Sequence, residues 1–241
     1  MNKDEVFSDA DKAVADFEFN KSVTTVFEDM LERSVPSYNE IQQMIVDLTK
    51  DFAINNTNVY DLGCSTGTTL LNINKEIEED ISFVGVDNSD EMLKQCKANL
   101  EKAGVKRKIT LENQDLNSGI ELENASVVIF SLTLQFLRPL NRGKIIRAIY
   151  NQLPENGAVI IVEKILTENS MFNRLFIEHY YKFKQTNGYS STEISKKREA
   201  LENVLVPYKL SENKELFLST GFKLVETFFK WYNFSGFIAI K

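Results

Sequence analysis

The chain contains few of the residues that build metal centres, disulfide frameworks or membrane spans. Its 241 residues include only two cysteines, Cys64 and Cys96, and one histidine, His179. These residues are too few for a zinc site or a histidine-based triad, so we expect no metal. No apolar run approaches the roughly 18 residues that a membrane helix needs, and the first residues form no apolar signal region. We therefore expect a reduced, cytoplasmic protein that does not contact membrane.

Positive charge is also in short supply. The 28 lysines and arginines are outnumbered by 35 aspartates and glutamates, which gives a formal net charge of -7. Because nucleic-acid binding depends largely on neutralising phosphates, this balance argues against a direct nucleic-acid partner. Hydrophobic residues make up 43% of the sequence, which at this length is enough for a substantial core.

Short apolar runs alternate with helical patterns through the middle of the chain. This alternation is typical of an α/β fold with a doubly wound parallel sheet. Two later runs, at residues 223–230 and 234–241, are joined by only three residues and must therefore pair antiparallel. The predicted parallel strands are residues 59–62, 83–87, 109–112, 127–131 and 159–163.

Two helical segments accompany this predicted sheet. Residues 20–53 read as two amphipathic helices with a break at Pro36, and residues 165–208 read as a helical, aromatic and charged insertion. No repeat or low-complexity linker divides the chain. We therefore expect a single domain over residues 1–241, with an N-terminal helical cap at about 1–53 and an insertion at about 165–208.

The first predicted strand runs into a glycine-containing loop, NVYDLGCSTG, at residues 58–67. Gly63 and Gly67 allow backbone conformations closed to other residues and a close approach of ligand. A dinucleotide site expects three glycines in the pattern G-x-G-x-x-G, but Ser65 replaces the middle one. Asp61 would repel a diphosphate and accept from an ammonium. The loop resembles motif I of the Rossmann-like methyltransferases, which bind S-adenosylmethionine (SAM).

Acidic residues also follow the next two predicted strands. Asp87 and Asn88 end the second strand, where a carboxylate can accept from both ribose hydroxyls. Asp115 ends the third and is placed to accept from an adenine amino group, with Leu116 beside the ring. Each aspartate alone would equally suit a solvated turn or a helix N-cap. Three carboxylates at consecutive strand ends favour a nucleoside site.

Several longer strings narrow the resemblance. They are RSVPSY at 33–38, YDLGCS at 60–65, TLQFL at 133–137, FKQTNGYS at 183–190 and EISKKREALENV at 193–204. Together they resemble the carboxy-S-adenosylmethionine synthases, over essentially the whole chain. The last string lies in the insertion, where ordinary methyltransferases share nothing. The resemblance implies a seven-stranded, mostly parallel methyltransferase sheet that ends in an antiparallel hairpin.

Family membership implies an unusual reaction. Prephenate supplies a carboxyl group to the S-methyl group of SAM, and carboxy-SAM, phenylpyruvate and water are formed. A separate transfer-RNA carboxymethyltransferase then uses the product to make the 5-oxyacetic acid group of a wobble uridine. The resemblance also suggests a homodimer, for which residues 171–183 are a candidate surface.

The resemblance also assigns roles to individual residues. Arg198 would grip the new carboxylate as the one catalytic residue, although the run from Lys196 to Arg198 alone reads as a solvated helix face. Tyr38 would contact SAM, or else be a core tyrosine. Ser131 stands where the family more often has asparagine, so its contact changes. The predicted ligand contacts are Tyr38, Asp61, Gly63, Cys64, Ser65, Asp87, Asn88, Asp115, Leu116, Ser131 and Arg198.

The sequence offers no obvious general base. Glu163 and Lys164 close the fifth strand, and His179, Tyr180 and Tyr181 could face the pocket, but each suits packing or capping better. Hydroxide that leaves prephenate as it aromatises is the alternative acceptor for the methyl proton. An ordinary SAM-dependent methyltransferase that acts on a small molecule and a non-catalytic adenosine-binding module are the competing functions.

Overall fold

One mixed sheet organises the computed structural model, which describes residues 2–9 and 13–241. The strands are β1 (Asn58–Leu62), β2 (Ser82–Asp87), β3 (Ile109–Asn113), β4 (Ala125–Ser131), β5 (Ala158–Lys164), β6 (Leu224–Trp231) and β7 (Phe234–Ile240). The helices are α1 (Lys21–Ser34), α2 (Tyr38–Phe52), α3 (Thr68–Glu76), α4 (Asp90–Lys102), α5 (Pro139–Gln152), α6 (Ser170–Thr186), α7 (Ser191–Leu201) and α8 (Leu210–Leu218). Short 3-10 turns cover Leu116–Ser118 and Leu134–Phe136.

The strand order is β3-β2-β1-β4-β5-β7-β6. Strands β1 to β5 are parallel, and β7 runs antiparallel to both β5 and β6. The predicted seven-stranded sheet with a C-terminal antiparallel hairpin is therefore confirmed. The order reverses between β1 and β4, and open α/β sheets bind ligands outside the carboxyl ends of the strands at such a reversal.

Side chains that alternate along each strand build one core layer on each face of the sheet. Val59 and Phe83 are fully buried on the face that carries α2 and α3. Their neighbours Tyr60 and Val84 point to the opposite face, under α5 and α8. This double-sided burial explains why the parallel strands read as continuous apolar runs.

Helices form in both segments that the sequence predicted to be helical, and one further helix was not predicted. Helix α1 ends at Ser34 and α2 begins at Tyr38, on either side of Pro36. The insertion forms α6 and α7, and α7 opens with a capping box in which Ser190 and Glu193 exchange hydrogen bonds. Helix α8 was not predicted. Among the described residues, no helix is long and apolar enough to cross a membrane, and no acidic, cysteine and histidine cluster suits a metal ion.

The loop after β1 is fixed by its neighbours. The amides of Gly63 and Cys64 donate to the Val86 carbonyl of β2, at 2.7 and 3.0 Å. Gly63 has a φ of 87°, and a Cβ there would clash with the Thr133 side chain, which follows β4. The positive φ agrees with the sequence prediction. The sequence predicted that a ligand would approach this glycine closely, but the Thr133 side chain fills the space beside it.

Replacement of Gly63 by alanine should destabilise the protein by about 2–5 kcal/mol, since left-handed strain adds to overpacking against Thr133. Urea unfolding measures the loss. Gly104→Ala is the matched control, because Gly104 also has a positive φ but open space around its missing Cβ, so about 1 kcal/mol should be lost. Equal losses for the two variants would contradict the assigned clash.

Candidate functional site

A pocket of about 610 Å³ opens at the carboxyl ends of the parallel strands. Its walls come from the loops after β1, β2, β3 and β4, the end of β5, and helices α1, α2, α6 and α7. Most of the residues predicted as ligand contacts are on these walls: Tyr38, Gly63, Cys64, Ser65, Asp87, Asn88, Asp115, Leu116 and Ser131. Asp61 and Arg198 are not.

The corner between β1 and β2 is held by Asp87. One carboxylate oxygen accepts from the Ser65 amide at 3.0 Å, and the other accepts from the Ser89 amide at 2.9 Å. Burial raises the pKa of Asp87, and these amides oppose the shift. The carboxylate keeps further lone pairs for hydroxyl groups, since an ionised carboxylate accepts about four hydrogen bonds. Asp87 therefore fixes the loop and faces the pocket at once.

Asp61 lies behind the pocket wall. It is 1% exposed, and neither of its carboxylate oxygens has a hydrogen-bond partner among the described residues. Burial, and then the charge of Asp87, raise its pKa to about 7. A buried carboxylate without a partner is unfavourable, so this position suits a nearby positive group that the described residues do not supply.

Asp115 is an N-cap, which the sequence left open as an alternative to a ligand contact. Its side chain accepts from the Asn117 amide at 2.9 Å and so caps the 3-10 turn Leu116–Ser118. Asp115 is exposed and still lines the pocket, whereas Leu116 is buried there. The aspartate thus serves as an N-cap and also stands at the site.

The segment after β4 contributes a residue that was not predicted for the site. Gln135 is buried and lines the pocket. Its side-chain oxygen accepts from the Lys164 amide at 2.9 Å, and its side-chain nitrogen donates to the Leu132 carbonyl at 3.2 Å. These bonds tie the loop that follows Ser131 to the end of β5. The string at 133–137 contained Gln135, but only its fold context reveals this role.

Arg198 does not reach the pocket of its own chain. Its side chain is exposed on α7, and a hydrogen bond to Tyr181 raises its pKa. Helix periodicity explains the position, since α7 turns the adjacent Lys197 inward and Arg198 outward. Within one chain, this guanidinium therefore lies outside the pocket lining, and its predicted contact with the ligand stays a prediction.

Two lysines and a tyrosine line the pocket where the end of β5 and helices α6 and α7 form its wall. Lys164 ends β5, Lys197 lies on α7 and Tyr180 lies on α6. Lys197 donates to the Ser34 hydroxyl at 3.2 Å and lies 3.7 Å from the Asp4 carboxylate. Burial lowers the pKa of Lys164 to about 8 and that of Lys197 to about 8. The sequence placed Lys164 at the end of the fifth strand but favoured packing or capping for it, whereas the structure puts it on the pocket wall.

The candidate general bases lie in different places: one is on the pocket wall, one is on the surface and one is in the interior. Tyr180 lines the pocket, and burial raises its pKa, which keeps the hydroxyl protonated. His179 is exposed and stacks on Tyr232, with ring centroids 4.7 Å apart. Glu163 is buried outside the pocket wall, where burial raises its pKa to about 8 against the opposing charge of Arg142.

Comparison with known proteins identifies the family. A family described as a methyltransferase domain matches residues 54–205. A carboxy-S-adenosyl-L-methionine synthase of Methylococcus capsulatus is 52% identical over 242 residues, which cover 100% of both chains. The chain belongs to the carboxy-S-adenosyl-L-methionine synthase family. A member of this family from Desulfotalea psychrophila is 43% identical and covers 99% of this chain and 97% of its own.

Solved structures agree with the fold. Human N-acetylserotonin methyltransferase, in complex with SAM, superposes with a TM-score of 0.61 at 13% identity. The match covers 92% of this chain and 55% of that one. The sheet of this carboxy-S-adenosyl-L-methionine synthase family member is thus the methyltransferase sheet, as the sequence predicted.

The unpartnered carboxylate of Asp61 should make stability depend on pH. Its folded pKa of about 7 lies above the unfolded value, so folding retains a proton there and stability is lost as pH rises through the folded pKa. In Asp61→Asn this loss disappears. Between about pH 5 and 8, the unfolding free energy of the parent protein should fall relative to that of Asp61→Asn by on the order of 2–3 kcal/mol.

Chemical denaturation at several pH values checks this expectation. Asp80→Asn removes an exposed carboxylate and serves as the control, with no such shift. Parallel curves for Asp61→Asn and the parent protein would show that the buried carboxylate does not hold a proton.

Proposed function

We propose that this protein makes carboxy-SAM from SAM and prephenate, and releases phenylpyruvate and water. The observation that carries the proposal is the full-length likeness to carboxy-SAM synthases, which includes the insertion. Residues of that insertion, Tyr180 and Lys197, form part of the wall of the pocket at the strand ends. A plain methyltransferase site would have no need of inward-facing cations there, because the methyl group already bears positive charge through sulfur.

The described residues suit SAM as the first substrate. Asp87 offers free lone pairs to the ribose hydroxyls, and Asp115 with Leu116 offers an acceptor and an apolar surface to adenine. Asp61 and Tyr38 would receive the amino-acid end, since the buried negative charge of Asp61 acts on Tyr38 in the wall. The sulfonium of bound SAM makes the methyl protons acidic and stabilises a carbanion beside it.

Prephenate supplies both the carboxyl group and the base in this proposal. As its ring aromatises, it loses carbon dioxide and hydroxide. Hydroxide takes a methyl proton and becomes water, and the methyl carbanion forms a bond to carbon dioxide. Enclosure protects the carbanion from bulk water. Glu163 and His179 lie off the pocket wall, which supports a reaction without a protein base.

Arg198 remains the proposed grip on the newly formed carboxylate, but only with a second copy of the chain. Its guanidinium is exposed and lies outside the pocket of its own chain, so a partner has to bring it to the site. Exposed apolar residues support a homodimer in which α6 contributes to the interface. Within residues 171–183 these are Met171, Phe172 and Leu175, whereas Tyr180 packs inward.

Further proposals concern setting and partners. We take residues 1–241 as one domain, because all strands of the described chain join one sheet. Cys64 and Cys96 are free and buried, which supports a reducing cytoplasm. The net charge of -7 supports the absence of direct transfer-RNA binding, so a separate carboxymethyltransferase would use the product on the wobble uridine.

An ordinary small-molecule methyltransferase is the second candidate, since residues 54–205 match a methyltransferase domain. An adenosine-binding module without activity is the third. Incubation of the purified protein with SAM and prephenate, followed by mass spectrometry, separates all three. Carboxy-SAM should form with a mass about 44 units above that of SAM, the mass of carbon dioxide. Reactions without prephenate are the control. A methylated acceptor, or unchanged SAM, would contradict the proposal.

The proposed role of Arg198 gives a separate prediction. Arg198→Leu should bind SAM with unchanged affinity but carboxy-SAM at least about tenfold more weakly, since one charge-assisted hydrogen bond in a closed site contributes about 1.5–3 kcal/mol. Calorimetric titration measures both ligands. Arg147→Leu, an exposed position on α5, is the control. An equal loss of affinity for both ligands would contradict the proposed role of Arg198. Sedimentation of the parent protein as a monomer would also contradict it, because Arg198 reaches the site only from a partner chain.

A further inference from the structure

Lys164 and Lys184 lie near the ring of Tyr180, and the charges of Lys164 and of a third lysine, Lys197, both act on Lys184. Lys164 ends β5, two strands away from β1 in the sheet order. Lys184 lies one helical turn beyond Tyr180 on α6, and so on the same face of that helix. The Nζ atoms of Lys164 and Lys184 lie 5.0 and 4.6 Å from the centroid of the Tyr180 ring.

Only one of these lysines has an anionic partner within the described chain. Lys197 lies 3.7 Å from Asp4. For Lys164 and Lys184 the contacts of the side-chain nitrogen are aromatic: the Tyr180 ring for both, and the Tyr181 ring for Lys184. Lys184 is 5% exposed. Burial first, and then the neighbouring cations, lower the pKa of Lys184 to about 7.

A buried ammonium group without an anion, such as that of Lys184, is unfavourable in a folded protein, and the partly exposed Lys164 at the pocket wall has no anion either. An aromatic face offsets a part of that cost, because the ring quadrupole attracts a cation. An anionic ligand in the pocket would offset the rest. Lys164 is on the wall, so such a ligand can reach it directly, while Lys184 adds charge from behind the same ring.

We propose that Lys164 and Lys184 form the subsite for the carboxylate that the one-carbon donor retains, the keto-acid carboxylate that leaves with phenylpyruvate. This inference rests on the proposed function and names the second substrate's position in the same pocket. A cation paired with the transferred carboxylate would hold it in its ground state and oppose its loss as carbon dioxide. The retained carboxylate stays charged throughout, so the lysines bind it equally before and after transfer.

Steady-state kinetics of Lys164→Met and Lys184→Met test the subsite. Methionine keeps the length of the side chain and removes its charge. Each variant should raise the KM for prephenate about tenfold or more, with a smaller change in kcat and an unchanged affinity for SAM. Inhibition by phenylpyruvate should weaken by the same factor, because phenylpyruvate carries the retained carboxylate. Lys182→Met on α6 and Lys230→Met on β6, both exposed, are the matched controls.

Thermal unfolding separates binding from folding. Removal of a charge without an anionic partner should hold or raise the melting temperature of Lys164→Met and Lys184→Met, so weaker binding would not arise from a damaged fold. Unchanged KM and unchanged phenylpyruvate inhibition in both variants would overturn the subsite. A selective loss of carboxy-SAM affinity would also overturn it, since the lysines would then hold the transferred group.

Calorimetry with phenylpyruvate and the SAM-loaded protein distinguishes this proposal from the proposed function. If the parent protein binds phenylpyruvate through the lysines but forms no carboxy-SAM from prephenate, the subsite stands and the reaction fails. If carboxy-SAM forms and the variants bind phenylpyruvate as the parent does, the reaction stands and the subsite is wrong.

Discussion

An acidic and a basic group without charged partners in the described chain lie at different strand ends around this pocket, the first buried and the second partly exposed. Asp61 supplies negative charge near the end of β1, where neither carboxylate oxygen has a hydrogen bond. Lys164 supplies positive charge at the end of β5, two strands away. Since isolated buried charges are unfavourable, the pocket is complementary to ligands that bring a cation to one place and an anion to the other.

Rigid secondary structure holds these charges apart. The loop after β1 is fastened to β2 through the Val86 carbonyl and Asp87, while Gln135 joins the end of β5 to the loop after β4. Both sets of hydrogen bonds involve backbone groups at the ends of buried strands. These groups do not move without disrupting the sheet. Sites on such elements keep their geometry better than sites on free loops. The pocket can therefore hold the charged groups of a ligand in fixed relative positions before any reaction begins.

The sequence predicted the sheet, and it predicted that acidic residues at the strand ends share one pocket, for physical reasons. Parallel strands buried on both faces read as apolar runs, and the ends of such strands meet at one edge, so Asp87 and Asp115 could be assigned to one pocket. Helix α8 was missed because the predicted insertion ended at about residue 208 and no element was assigned between it and the strand predicted at 223–230. The sequence did not show that Arg198 lies outside the pocket of its own chain, because charge and spacing do not reveal which face of α7 turns inward. The same ambiguity hid Lys197, one residue earlier.

The most direct test of separated, uncompensated charge is the proton exchange that accompanies binding, measured by calorimetry in buffers of different ionisation enthalpy. At a pH of about 6.5, SAM binding should release protons, because its ammonium makes Asp61 ionise from a pKa of about 7. At a pH of about 8, phenylpyruvate binding should take up protons, because its carboxylate charges Lys184 and Lys164. Exchange of the same sign for both ligands, or none for either, would contradict the account.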